Sequence, residues 1–138
     1  VNNQGKGKMP TGCILTILVV DNYTANKRDD IALKDVLVKM NKNLNADNGF
    51  HCYRPTFPKN EDLFEHYKES RKNFFLKELK SFANDAEKAI NTSNQKDGCL
   101  KWQNHFGERF SCSTAKDEEE DAQKKELSGT LKNNSRFA

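Results

Sequence analysis

Four cysteines, Cys13, Cys52, Cys99 and Cys112, carry the most chemistry in this sequence. None is paired as C-x-x-C, so zinc-site spacing is absent, and an even number spread along the chain points to disulfides formed in an oxidising compartment. Two bridges closing loops of tens of residues would each contribute roughly 2–4 kcal/mol, a large share of the stability of a small domain. The three histidines, His51, His66 and His105, fall in separate segments outside any HExxH pattern, and each reads as a surface or structural side chain. His51 adjoins Cys52, yet adjacent side chains do not generally face each other, so a Cys–His nucleophile pair is not expected. Glu65 and Glu69 stand one helical turn apart, the spacing of an acid–base pair. Together with Glu61 and Asp62, however, they are interleaved with Lys68, Arg71 and Lys72, which reads as a solvated, salt-bridged face. The chain contains no G-x-S-x-G, P-loop or G-x-G-x-x-G, and the expectation is a protein without catalytic residues, metal site or cofactor.

Other residues point to recognition. Glu65, Lys68, Arg71 and Lys72 form the first candidate receptor-binding face, because complementary charge steers encounter while a few buried side chains hold a complex. Phe74, Phe75, Phe82, Trp102, Phe106 and Phe110 read first as core, with a pocket for a small hydrophobic ligand as the alternative. Three N-x-[ST] sequons begin at Asn22, Asn91 and Asn133 in polar stretches, where a glycan would sit in water.

Composition bounds the class. The length of 138 residues suits a single domain. Hydrophobic residues make up 35% and charged residues 31%, so the apolar supply is lean and the core needs the cysteines. The net charge of +3 is mild and the basic residues alternate with acidic ones. Nucleic-acid binding, which draws on a concentrated cationic surface, is not expected. The strongest apolar run, Cys13 to Val20, has eight residues against roughly 20 for a membrane-spanning helix, which excludes a span there. The polar opening, Val1 to Lys8, lacks the apolar centre of a signal peptide and looks like the start of a mature or trimmed form.

These residues must be positioned by a few elements. Residues 1–11 read as a flexible arm. Cys13 to Val20 is rich in β-branched side chains and reads as a short buried strand. Asp29 or Asp30 can cap a helix whose apolar face is Leu33, Val36, Leu37, Met40 and Leu44, stopped by the Asn- and Gly-containing run 43–49. Pro55 and Pro58 force an extended cross-over loop pinned at Cys52. Residues 61–90, free of Gly and Pro, read either as one helix of about 45 Å or as two antiparallel pieces broken near Ser81 to Asp85. Leu100 to Phe110 suggests a short amphipathic helix weakened by Gly107. Residues 113–138 carry the acidic run Asp117 to Asp121 and read as a mostly disordered tail or a marginal helix joining Glu120 to Lys124. The expected fold class is mainly α, a small disulfide-braced helical bundle over 12–112, with room for a short strand near the N-terminus.

The stretch Ile31 to Leu44, IALKDVLVKMNKNL, resembles the first helix of short-chain helical cytokines of the interleukin-4 and interleukin-13 type. The resemblance implies a four-helix bundle with up-up-down-down topology, long cross-over loops, a few disulfides and receptor chains as partners. The chain departs from that pattern in its apolar run before this helix and in its weakly apolar last thirty residues. No receptor-contact residue is carried over. Among the three possible cysteine connectivities the expected one is nested, Cys13–Cys112 with Cys52–Cys99. The resulting expectation is a secreted, cytokine-like ligand of an extracellular receptor. The alternative is a secreted binding or inhibitory protein with a hydrophobic ligand pocket.

Overall fold

The computed structural model describes residues 9–58 and 60–135, and among these, five helices make up the regular structure. The protein is mainly α, and among the described residues β structure amounts to a single antiparallel bridge, Tyr53 with Asp62. The chain divides into two compact units, residues 1–86 and 87–138, where the sequence suggests one domain over 12–112.

Helix α1 (Gly12–Asn22) replaces the expected strand. Thr11 caps it, its hydroxyl accepting from the Ile14 amide at 3.5 Å, and Ile14, Leu18 and Asn22, each four residues after the last, are buried. β-branched residues prefer strands weakly, but a strand needs a partner ladder, and among the described residues β structure is limited to the Tyr53–Asp62 bridge. Burial of an i, i+4 stripe against α2 decides the conformation instead.

Helix α2 (Asp29–Asn45) follows its apolar periodicity closely, burying Ala32, Val36, Leu37, Met40 and Leu44. Leu33, expected on that face, is half-buried, and Ala32 takes the buried place. The N-cap is Arg28, without a side-chain cap bond, so Asp29 and Asp30 act from the first turn rather than as caps. There they suit the positive end of the helix dipole, and Asp30 pairs with Arg28 at 2.6 Å. The pair holds the Asp30 carboxyl below the usual carboxylate range, chiefly through the Arg28 hydrogen bond. The helix stops where expected: Asn48 has φ 52°, and any Cβ at position 49 would overlap the carbonyl of Asn43, so Gly49 alone fits the turn.

Helix α3 (Glu69–Asn91) is one unbroken helix that begins eight residues later than expected. Residues 61–68 form turns instead, with Leu63 N–H donating to Cys52 O at 2.8 Å and Tyr67 N–H to Phe64 O at 3.0 Å. No break occurs over Ser81 to Asp85, where Ala83 is buried, as is Ala86 just beyond. The first unit holds every fully buried apolar side chain among the described residues, from Pro10 to Ala86.

The second unit is built differently. Helix α4 (Gln95–Phe106) is capped by Asn94, whose Oδ1 accepts from Lys96 N–H at 3.1 Å. It ends at Gly107, where φ is 82° and the amide donates to Gln103 O at 2.8 Å; glycine suits that left-handed position. Helix α5 (Glu118–Ser135) stands where a tail was the first expectation. It carries the anticipated Glu120–Lys124 pair at 2.8 Å, exposed and hence worth little. Residues 136–138 and the arm residues 1–8 lie outside the described residues; Pro10, in the remainder of that arm, is buried. Only Asn94 and Gly98 are fully buried among the residues of the second unit whose burial is described.

Candidate functional site

The second unit contains a disulfide, Cys99–Cys112, with a Cα–Cα distance of 5.8 Å, well within disulfide reach. The turn at Gly107 brings the chain back along α4, so that Ser111 O lies 3.8 Å from Cys99 Sγ and Gln103 donates to Phe110 O at 2.8 Å. This bond replaces the nested pairing Cys13–Cys112 with Cys52–Cys99. Cys13 and Cys52 lie in the first unit as thiols, one exposed and one buried. Polar bonds add to the disulfide: Asn94 Nδ2 donates to Asp117 Oδ1 at 3.1 Å, and the same oxygen accepts from Glu120 N–H at 3.3 Å. One asparagine and one aspartate thus cap α4 and α5 and join the two caps.

In the first unit the expected receptor face is not one helix face. Glu65 and Lys68 are exposed but precede α3. Arg71 and Lys72 are half-buried within it. The Arg71 guanidinium lies 3.9 Å from the centre of the Tyr67 ring and donates to Met9 O at 3.0 Å, while Lys72 Nζ lies 5.2 Å from the Phe50 ring. Both cations therefore serve the fold as well as the surface, and Glu65 and Lys68 are the members available to a partner.

Beside them sits a polar cluster that the sequence did not single out. Asp62 accepts from the amides of Cys52 (3.1 Å) and Phe64 (3.0 Å), and its other oxygen lies 2.7 Å from His51 Nδ1. Burial works to raise the Asp62 pKa, but the bonds from His51 and the two amides outweigh it and leave the carboxyl below its ordinary value. The available signal was Asp62 two residues before an aromatic in a proline-bounded loop, the local pattern of an Asx-turn. Around it, Phe64 stacks on Phe50 at 4.3 Å and meets Tyr67 edge-on at 4.8 Å. The Asp–His pair holds the loop; His66 is exposed, and His105 is half-buried in α4. Among the described residues no group of three or more His, Cys, Asp or Glu side chains is arranged to hold a metal ion.

The aromatic residues expected as one cluster divide between the units. Phe75 is core, with Phe74 and Phe82 half-buried in the first unit. Trp102, Phe106 and Phe110 follow one another in the second at 6.1 and 5.4 Å between rings, with Phe106 and Phe110 exposed. An open cleft of about 520 Å³ in the second unit is lined by Lys88, Thr92, Asp97, Leu100, Lys101 and Asn104, none of them aromatic.

The sequons differ in availability. Asn22 is buried, its Nδ2 donating to Leu18 O and its Oδ1 accepting from Asn43, both at 2.8 Å. The bond that joins α1 to α2 is donated by Asn43, while the Asn22 nitrogen that a glycan would occupy is buried against α1's own backbone, which leaves Asn22 without the exposure a glycan needs. Asn91 is exposed at the end of α3. Asn133 lies in α5, with its side chain outside the described residues. No helix among the described residues is long and apolar enough to cross a membrane. No family model matches the chain.

Proposed function

We propose that the protein is a secreted, cytokine-like helical ligand that binds a cell-surface receptor, with Glu65 and Lys68 in its contact surface and a glycan on Asn91. One observation carries the extracellular part: the second unit joins its helices through Cys99–Cys112 and polar caps, without a fully buried apolar side chain among its described residues. A unit of that kind needs its disulfide, and disulfides persist outside the cell. The helical architecture and the exposed charges at Glu65 and Lys68 support the receptor part. The reading gives the chain no catalytic role and no cofactor.

The test is binding of the oxidised protein to an array of extracellular receptor domains, followed by Glu65→Lys and Lys68→Glu variants. A bound ectodomain whose association slows at least tenfold in both variants supports the reading. Full binding by both charge reversals removes these residues from the surface, and an array without any bound domain removes the receptor reading.

The exposed rings of Phe106 and Phe110 beside Trp102 support a second reading, a secreted binding or inhibitory protein that takes a small hydrophobic ligand in its second unit. Lipid copurifying in a native mass spectrum, and lost in Phe106→Ser, distinguishes it.

A further inference from the structure

We infer that Cys13 and Cys52 form a second disulfide, tying the first turn of α1 to the loop that carries Asp62. Four cysteines allow three connectivities, and the only one that contains Cys99–Cys112 also pairs Cys13 with Cys52. Both thiols belong to the first unit. Cys52 Sγ lies 3.9 Å from the carbonyl oxygen of Ile14, the residue next to Cys13, so the loop is already seated against the turn that bears its partner. The loop is held there from both sides of the cysteine backbone: Cys52 N–H donates to Asp62, and Cys52 O accepts from Leu63. Cys13 is exposed in the first turn of α1, the same turn that carries Ile14. Burial first, then the charges of Asp21, Asp62 and Cys13, push the Cys52 thiol up to about 11.

The chemistry is thiol–disulfide exchange with a low-molecular-weight disulfide of the glutathione class. Cys13, the exposed thiol, loses its proton and attacks the external disulfide, forming a mixed disulfide and expelling one thiolate. Cys52 then loses its proton, attacks the Cys13 sulfur and expels the second thiolate. The two protons pass to the departing thiolates, so two protein thiols are oxidised and one external disulfide is reduced to two thiols. The inference rests on the oxidising compartment of the proposed function, and Cys99–Cys112 in the same chain serves as its internal control.

The experiment is a non-reduced peptide map of the natively produced full chain, alkylated before digestion, and of chain reduced and then equilibrated with oxidised and reduced glutathione. The expected result in both is a Cys13 peptide linked to a Cys52 peptide beside a Cys99–Cys112 link. Alkylation of Cys13 and Cys52 with Cys99–Cys112 intact overturns the inference and leaves the secreted reading standing. A Cys13–Cys112 or Cys52–Cys99 link overturns it as well. Four alkylated cysteines in the native material overturn both together.

Discussion

Replacing Cys99 and Cys112 together by serine tests the division of labour between the two units most directly. The bonded cysteines are 13 residues apart. Closing a loop of that size removes chain entropy from the open state worth about 3 kcal/mol. In the first unit a loss of that size would be buffered by a core running from Ile14 to Ala86, but the second unit has no fully buried apolar side chain among its described residues to offset it. The polar ties that remain, such as Asn94 to Asp117, exchange for water at a net worth of about 1 kcal/mol each. Local opening of α4 should therefore rise by on the order of a hundredfold, since about 1.4 kcal/mol is a factor of ten. The only tryptophan of the chain, Trp102, sits in α4 between the two cysteines and reports the change. The expected outcome is red-shifted Trp102 emission and hydrogen exchange accelerated about a hundredfold at α4 amides, while the amides around Phe75 and Leu79 in α3 keep their protection. Unchanged emission and exchange in the serine variant would refute the argument that the bond holds this unit together.

Four further outcomes are expected. Phe64→Ala removes a 4% exposed ring stacked on Phe50 and should lower stability by about 3–5 kcal/mol; a denaturation midpoint close to wild type would contradict that packing. Because Asp62 has a folded pKa below its ordinary value, its ionised form contributes stability above the unfolded carboxylate pKa that is lost as pH falls through the folded one. Wild type should then lose stability below about pH 4 more steeply than Asp62→Asn, which parallel acid curves would disprove. In fully reduced protein Cys52 titrates at about 11 instead of 9.0, so at pH 8 iodoacetamide should label Cys13 well ahead of Cys52, whose thiolate fraction is about a hundredfold below that of an ordinary thiol; equal labelling rates at folded conditions would show that the thiol is not held in place. The Tyr67 hydroxyl is buried without a hydrogen-bond partner among the described residues, so Tyr67→Phe should leave stability unchanged or raise it by up to about 1 kcal/mol, as read by thermal unfolding.

Legibility in the sequence followed periodicity and failed where tertiary partners decide. α2 was readable from Val36, Leu37, Met40 and Leu44 because one side of a helix repeats every three or four residues, and its end was readable because Asn48 and Gly49 punctuate it. The run Cys13 to Val20 is helical against its local preference, because β-branching speaks to single residues while a strand depends on a partner that the described residues do not supply. The eight residues before Glu69 carry a helical spacing, yet the loop bonds from Asp62 and Cys52 capture them first. Of the candidate site, the charges of Glu65 and Lys68 were visible, but the approach of Lys72 to the Phe50 ring and of Arg71 to Met9 O depends on segments far away in sequence. The pairing of the cysteines was beyond spacing altogether, because it required knowing that Gly107 sends the chain back along α4.

The uneven placement of greasy side chains before and after Ala86 makes ordinary laboratory reagents act selectively on this molecule. Dithiothreitol, added to most buffers as a preservative, becomes a denaturant for the second unit, whereas in the first it can cut only the inferred Cys13–Cys52 link and leaves the apolar core standing. Urea works on a different target, since its pull scales with the buried surface it can uncover, and that surface lies almost wholly in the first unit.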